Sequence, residues 1–148
     1  MTDETLEEIK ALIPHRDPFL LVDRILSLEG KTLITEKTFS PTMDVYRGHY
    51  PESPITPGVL LAEAIFQSGA LLIAKIAAPD ELKAGVPVLT RILGAKFKRG
   101  VYPGDTVQIT VKLTEKISTA WFLKGVLQCK GKTAVQIEFA CTLAQPSA

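Results

Sequence analysis

The sequence predicts an α+β fold, in which an antiparallel sheet of about six strands curls around one long central helix. Three observations predict it. The run from Pro57 to Ala78 is apolar nearly all round, as expected of a helix enclosed on every side. The chain around it carries segments with strand alternation, divided by glycine and proline turns. A boundary near residue 80 would leave two pieces unable to close a core alone, so residues 1–148 are expected to form a single domain.

The first element, "DETLEEIKALIP", reads as a short helix. Thr5 and Glu8 have the spacing of a capping box, and Pro14 ends it. "FLLVDRILSLEG" reads as a strand that turns at Glu29-Gly30 into a second, "KTLITEKTFS". The loop "PTMDVYRGHYPESPIT" is too rich in proline for regular structure. Thr56 then suits the cap and Pro57 the first position of the central helix, roughly 30 Å long. Its length raises the question of a membrane span, but Glu63, Gln67 and Lys75 interrupt it and favour a core helix. "VPVLTRILGAKFKRG" is a strand, and "PGD" at Pro103–Asp105 a turn. "TVQITVKL" alternates, with Val107, Ile109, Val111 and Leu113 on one face. "AWFLKGVLQCK" and "TAVQIEFACTL" complete the sheet. A sheet wrapped in this way around one helix is the hot-dog architecture.

With 46% hydrophobic and 22% charged residues, the chain can bury a substantial core. A net charge of +1 gives no general argument for nucleic acid or a membrane surface, and neither is expected as a partner. The start "MTDETLEEIK" is acidic, the reverse of a secretory leader. Cys129 and Cys141 fall far apart along neighbouring strands, so no disulfide is expected and a reducing, cytoplasmic setting fits. Two cysteines and two histidines without metal-ligand spacing predict no metal site.

The central helix carries a narrow polar stripe. At about 100° per residue, Glu63 and Gln67 share a face, Thr56 lies close to it, Lys75 is a third of a turn round, and Ser68 sits just off. A lone helical carboxylate is ordinarily a solvated group, yet Leu60, Leu61, Ala62, Ala64, Ile65 and Phe66 leave little polar surface here. A buried Glu63 could hold a proton near neutral pH. His49 sits in a loop stiffened by Pro51, Pro54 and Pro57. It is either plain surface or a rigidly held base. The free N–H groups at the start of the helix, around Gly58 and Val59, could polarise a carbonyl. Base, acid and oxygen-binding helix end suit proton chemistry beside a carbonyl.

"IPHRDPFLLVDRIL", "GHYPESPITPGVLLAEAIFQSGALL" and "AKFKRGVYPGD" resemble the three signature blocks of the 3-hydroxyacyl-acyl carrier protein dehydratases of bacterial fatty acid synthesis, the FabZ type, in order and spacing. The resemblance implies that His49 is the catalytic histidine and Glu63 its acid partner. The helix end at Gly58 and Val59 is expected to bind the substrate's oxygen, and Gln67, one turn on, to orient Glu63 or a water at the substrate. The resemblance further implies homodimers, in some members trimers of dimers. In such dimers the histidine of one subunit faces the carboxylate of the other. The substrate would ride on the phosphopantetheine arm of acyl carrier protein, and no further cofactor is implied. Tyr50, Thr56, Phe66, Asp17 and Gly100 depart from the usual residues, and Thr56 and Phe66 stand where they could reshape the acyl tunnel. His15 has no evident acid partner and reads as structural.

Lys96, Lys98 and Arg99 form a basic cluster, either ordinary surface charge or a docking patch for the acidic carrier protein. Two other readings share these features. A hot-dog thioesterase would use a carboxylate to activate water, and a non-catalytic acyl-thioester binder would need the pocket but no base.

Overall fold

The computed structural model describes residues 3–145. In chain order its elements are α1 (Asp3–Leu12), β1 (Arg24–Glu29), β2 (Thr32–Thr38), α2 (Gly58–Ile76), α3 (Pro79–Leu82), β3 (Val86–Phe97), β4 (Thr106–Ile117), β5 (Ala120–Cys129) and β6 (Lys132–Ala144). A 3₁₀ turn covers Asp44–Arg47. The six strands form one antiparallel sheet in the order β1-β2-β4-β5-β6-β3, and α2 contacts five of them, β2 to β6. This is the expected sheet-around-helix arrangement.

The alternation seen in the sequence sets which face of the sheet holds the core. Val107, Ile109, Val111 and Leu113 of β4 are buried, as are Val135, Ile137, Phe139 and Cys141 of β6. They close over Leu61, Ile65, Leu72 and other buried residues of α2. Although α2 is long and apolar enough to cross a membrane, most of it is buried inside this sheet. Helix and sheet meet most tightly at Gly125 of β5, where a Cβ would run into the Ile65 side chain. The β5–β6 hairpin turns through Lys130 and Gly131, both at positive φ (54° and 76°), the two-residue geometry that matches strand twist. Cys129 faces Lys132 while Cys141 faces Trp121, so the two buried thiols are far apart along the sheet and free.

Several local expectations need correction. Thr5 lies inside α1 rather than at its cap. Phe19–Asp23 precede β1 instead of opening it, because the Phe19 carbonyl and Leu21 N–H are bonded to the Gln67 side chain rather than to a neighbouring strand. Thr56 does not cap α2. Its hydroxyl shares a 2.6 Å hydrogen bond with Tyr46 Oη, and Pro57 occupies the cap position. The helix stops at Ile76, two residues early, and Pro79 starts the separate turn α3.

The two edges of the sheet differ. β1 has six residues, whereas β3 has twelve, and β3 leaves Leu89, Ile92, Leu93 and Phe97 substantially exposed (Ile92 and Phe97 at 54%). A long apolar edge strand is a template for pairing with another chain.

Candidate active site

His49 is held by its own loop. Its N–H donates to the Val45 carbonyl at 3.0 Å, its carbonyl accepts from the Ile55 N–H at 3.0 Å, and its Nδ1 lies 2.9 Å from the Ile55 carbonyl oxygen. The Tyr50 ring stacks on the imidazole with centroids 4.3 Å apart. A carbonyl oxygen can only accept, so Nδ1 carries the hydrogen. In the neutral ring Nε2 is then the bare nitrogen, available as a base. The fixed turn and the stacked ring hold the imidazole in this orientation.

Glu63 stands on α2, its side chain 24% exposed in the single chain rather than fully buried. Its Oε2 accepts a 3.0 Å hydrogen bond from Gln67 Nε2, one turn on. Gln67 is itself 1% exposed and fully engaged. Its Oε1 accepts the Leu21 N–H at 2.7 Å, and its Nε2 also donates to the Phe19 carbonyl at 2.8 Å. These backbone partners fix which end of the amide faces Glu63.

His15 has a neighbour that the sequence did not show. Its Nε2 lies 3.7 Å from Glu63 Oε2, so it does have an acid neighbour, and its Nδ1 is buried with no hydrogen-bond partner among the described residues. Burial pulls its pKa below the ordinary value, the Glu63 carboxylate opposes that shift, and Arg16 adds to it. Forty-eight residues separate the pair, so no local spacing could have revealed it.

Within one chain the two principal candidates do not meet. Among the described residues, no hydrogen bond or ion pair joins His49 to Glu63. Glu63 shares a cavity of about 230 Å³ with His15, Phe66, Gln67 and Ala70 of its own side, while His49 stays with Ile55 near the start of α2. There the first intrahelical bonds run from the Leu60 and Leu61 N–H groups to the Pro57 carbonyl, which leaves the Gly58 and Val59 amides ahead of the ladder. Gly58 is backed by the Phe97 ring, 3.2 Å from where a Cβ would lie, and Val59 is 75% exposed.

The polar stripe of α2 also divides. Thr56 serves Tyr46, Ser68 bonds Thr35 and the Ala64 carbonyl inside the core, and Lys75 pairs with Glu8 of α1 at 3.0 Å. Only Glu63 and Gln67 of that stripe face the cavity.

The basic cluster splits as well. Lys98 and Arg99 line a cleft of about 530 Å³ together with Lys130 and Lys132, opposed by one carboxylate, Asp105, which lies 3.8 Å from Lys130. Lys96 lines a different hollow, beside Lys124 and Glu138. The added lysines come from "KGK" at the β5–β6 turn, a signal readable only once that hairpin is placed next to the end of β3.

The model of the FabA-like domain family matches residues 13–138. The 3-hydroxyacyl-[acyl-carrier-protein] dehydratase FabZ of Anaeromyxobacter dehalogenans (strain 2CP-1) is 39% identical over 137 residues, 92% of this chain and 88% of that protein. The protein of the same name from Clostridium botulinum (strain Kyoto) is 40% identical over 134 residues, 90% and 91% of the two chains. Among solved structures, the dehydratase heterocomplex ApeI:P of Xenorhabdus doucetiae superposes with a TM-score of 0.64 at 20% identity, covering 82% of this chain and 96% of that one. The PaaI protein of E. coli reaches a TM-score of 0.67 at 14% identity, over 95% and 93%. Both share the fold. By the family match and by these sequence relatives, the chain belongs to the FabA-like family, among the 3-hydroxyacyl-[acyl-carrier-protein] dehydratases of the FabZ type.

Proposed function

We propose that the protein removes water from 3-hydroxyacyl-acyl carrier protein to give the trans-2-enoyl thioester, as a step of fatty acid biosynthesis. The observation that carries this reading is the shared activity name of relatives near 40% identity over about nine-tenths of the chain. The site supports it residue by residue.

The working unit is a homodimer, in which His49 of one protomer acts with Glu63 of the other. The exposed apolar edge of β3 favours such pairing, and so does the lack of a link between the two groups within one chain. Assembly into a trimer of dimers is compatible with the same edge. The thioester oxygen lies at the Gly58 and Val59 amides, where the helix end stabilises charge developing on it. His49 Nε2 takes a proton from C2. The C–H electron pair forms the C2=C3 double bond, and the C3 hydroxyl leaves as water with a proton from Glu63. Imidazolium and carboxylate return to their starting states by exchanging a proton, so no net proton is consumed. No electrons are gained or lost overall, and the chemistry calls for no cofactor beyond the carrier's own arm. Lys98, Arg99, Lys130 and Lys132 offer the acidic carrier protein a docking cleft. The free thiols Cys129 and Cys141 suit a reducing, cytoplasmic compartment.

The test is ultraviolet detection of conjugated enoyl thioester when purified protein meets 3-hydroxyacyl-acyl carrier protein. Enoyl product is expected. Free thiol without enoyl product would replace this reading with a thioesterase, and binding with neither product would replace it with a non-catalytic carrier.

A further inference from the structure

This inference rests on the dehydratase reading and concerns which acyl chains the site admits. Glu63, Phe66, Gln67 and Ala70 are spaced at i, i+3, i+4 and i+7 on α2, so one helix face presents all four to the 230 Å³ cavity. Val88, Leu89 and Cys141 belong to the sheet side of the same lining. Phe66 meets Phe139 edge to face, with ring centroids 5.0 Å apart and planes at 67°. Phe139 is fully buried and rests against the helix backbone, since a Cβ on Gly69 would lie 2.8 Å from its Cζ. The ring behind Phe66 therefore has no room to yield, and Phe66 cannot fold back into the core.

We propose that Phe66 is a specificity-determining residue: beside Glu63 it walls the cavity and restricts the protein to short 3-hydroxyacyl chains. A chain running past Glu63 meets the Phe66 ring on the next turn of the same helix face, so the ring bears most on long chains.

The experiment compares kcat/KM for 3-hydroxybutyryl-, 3-hydroxyoctanoyl- and 3-hydroxyhexadecanoyl-acyl carrier protein, followed by enoyl absorbance. The unaltered protein should handle the hexadecanoyl substrate at least about 10-fold less well than the butyryl one. Phe66→Ala should raise the hexadecanoyl-to-butyryl ratio by about 10-fold or more, with Phe66→Leu in between. Ala70→Leu, which adds bulk to the same lining, should lower the octanoyl-to-butyryl ratio. Circular dichroism melts establish that each variant is folded. If Phe66→Ala does not fold, Phe66→Leu and Ala70→Leu decide. Equal turnover of all three chains by the unaltered protein, or ratios unmoved in folded variants, would overturn the assignment while leaving the dehydratase reading intact. Absence of enoyl product at every length would remove both, a result separable from turnover without length dependence.

Discussion

Gln67 Nε2 donates a 3.0 Å hydrogen bond to Glu63 Oε2 one helical turn away, and the same amide holds the Phe19 and Leu21 backbone. One buried side chain thus joins the carboxyl group to the segment that leads into β1. Gln67→Leu strips the Leu21 N–H and the Phe19 carbonyl of their partners. Stability should fall by about 1–3 kcal/mol, the usual penalty for buried polar groups left unmet. Because Glu63 also loses its orienting donor, kcat should drop by about 10-fold or more with little change in KM. Denaturant melts and steady-state kinetics measure the two effects. A loss of stability with kcat intact would reduce Gln67 to a structural residue.

The burial of His15 has a consequence for acid stability. Burial, the largest cause, brings His15 below its ordinary 6.5, so the unfolded chain takes up this proton more readily than the folded one. The neutral imidazole therefore contributes stability that is fully present above about 6.5 and is lost as pH falls through the lower folded value. His15→Gln should remove that part of the decline. Between about pH 7.5 and pH 5, the Tm of the variant should fall less than that of the unaltered protein. Parallel curves would show that His15 does not titrate on unfolding.

A site shared between protomers makes a prediction about mixtures. His49→Ala and Glu63→Gln alone should each lose about 10²-fold or more in turnover. After subunit exchange, half of the dimers are mixed, and each mixed dimer has one site with both groups intact. Activity should return to roughly a quarter of normal. Sites built from a single chain would stay inactive after mixing.

The basic cleft predicts a difference between neighbouring lysines. Lys98→Glu with Lys132→Glu should raise KM for carrier-bound substrate by about 10-fold at low ionic strength, with the effect shrinking as salt is added. Lys96→Glu, whose side chain lines another hollow, should change KM little. A pantetheine thioester, which lacks the acidic carrier, should be turned over alike by all three proteins.

The parts of this protein most legible in its sequence are those with strict periodicity. β4 alternates from Val107 to Leu113, β6 buries every second residue from Val135 to Cys141, and α2 declares itself through nineteen residues of helical, mostly apolar chain. β3 was legible as a strand but not as an edge that leaves Leu89, Ile92 and Leu93 exposed, because nothing local tells a strand that its neighbour lies on one side only. Where side chains replace strand partners, as Gln67 does at Phe19 and Leu21, apolar composition overstates the strand. At the site, His49, Glu63 and Gln67 stand out through chemistry and spacing. His15, Lys130 and Lys132 do not, because they join it only through contacts distant in sequence.

The missing side chain at position 125 does more than permit close packing. Ile65 sits in that notch two residues from Glu63, so the depth of the notch registers the whole helix against the barrel wall. Gly125→Ala would jack the helix outward as a rigid rod and carry the carboxyl group, its amide strut and the aromatic wall along with it. A residue of the sheet with no side chain of its own thereby acts as the datum from which the position of Glu63 is set.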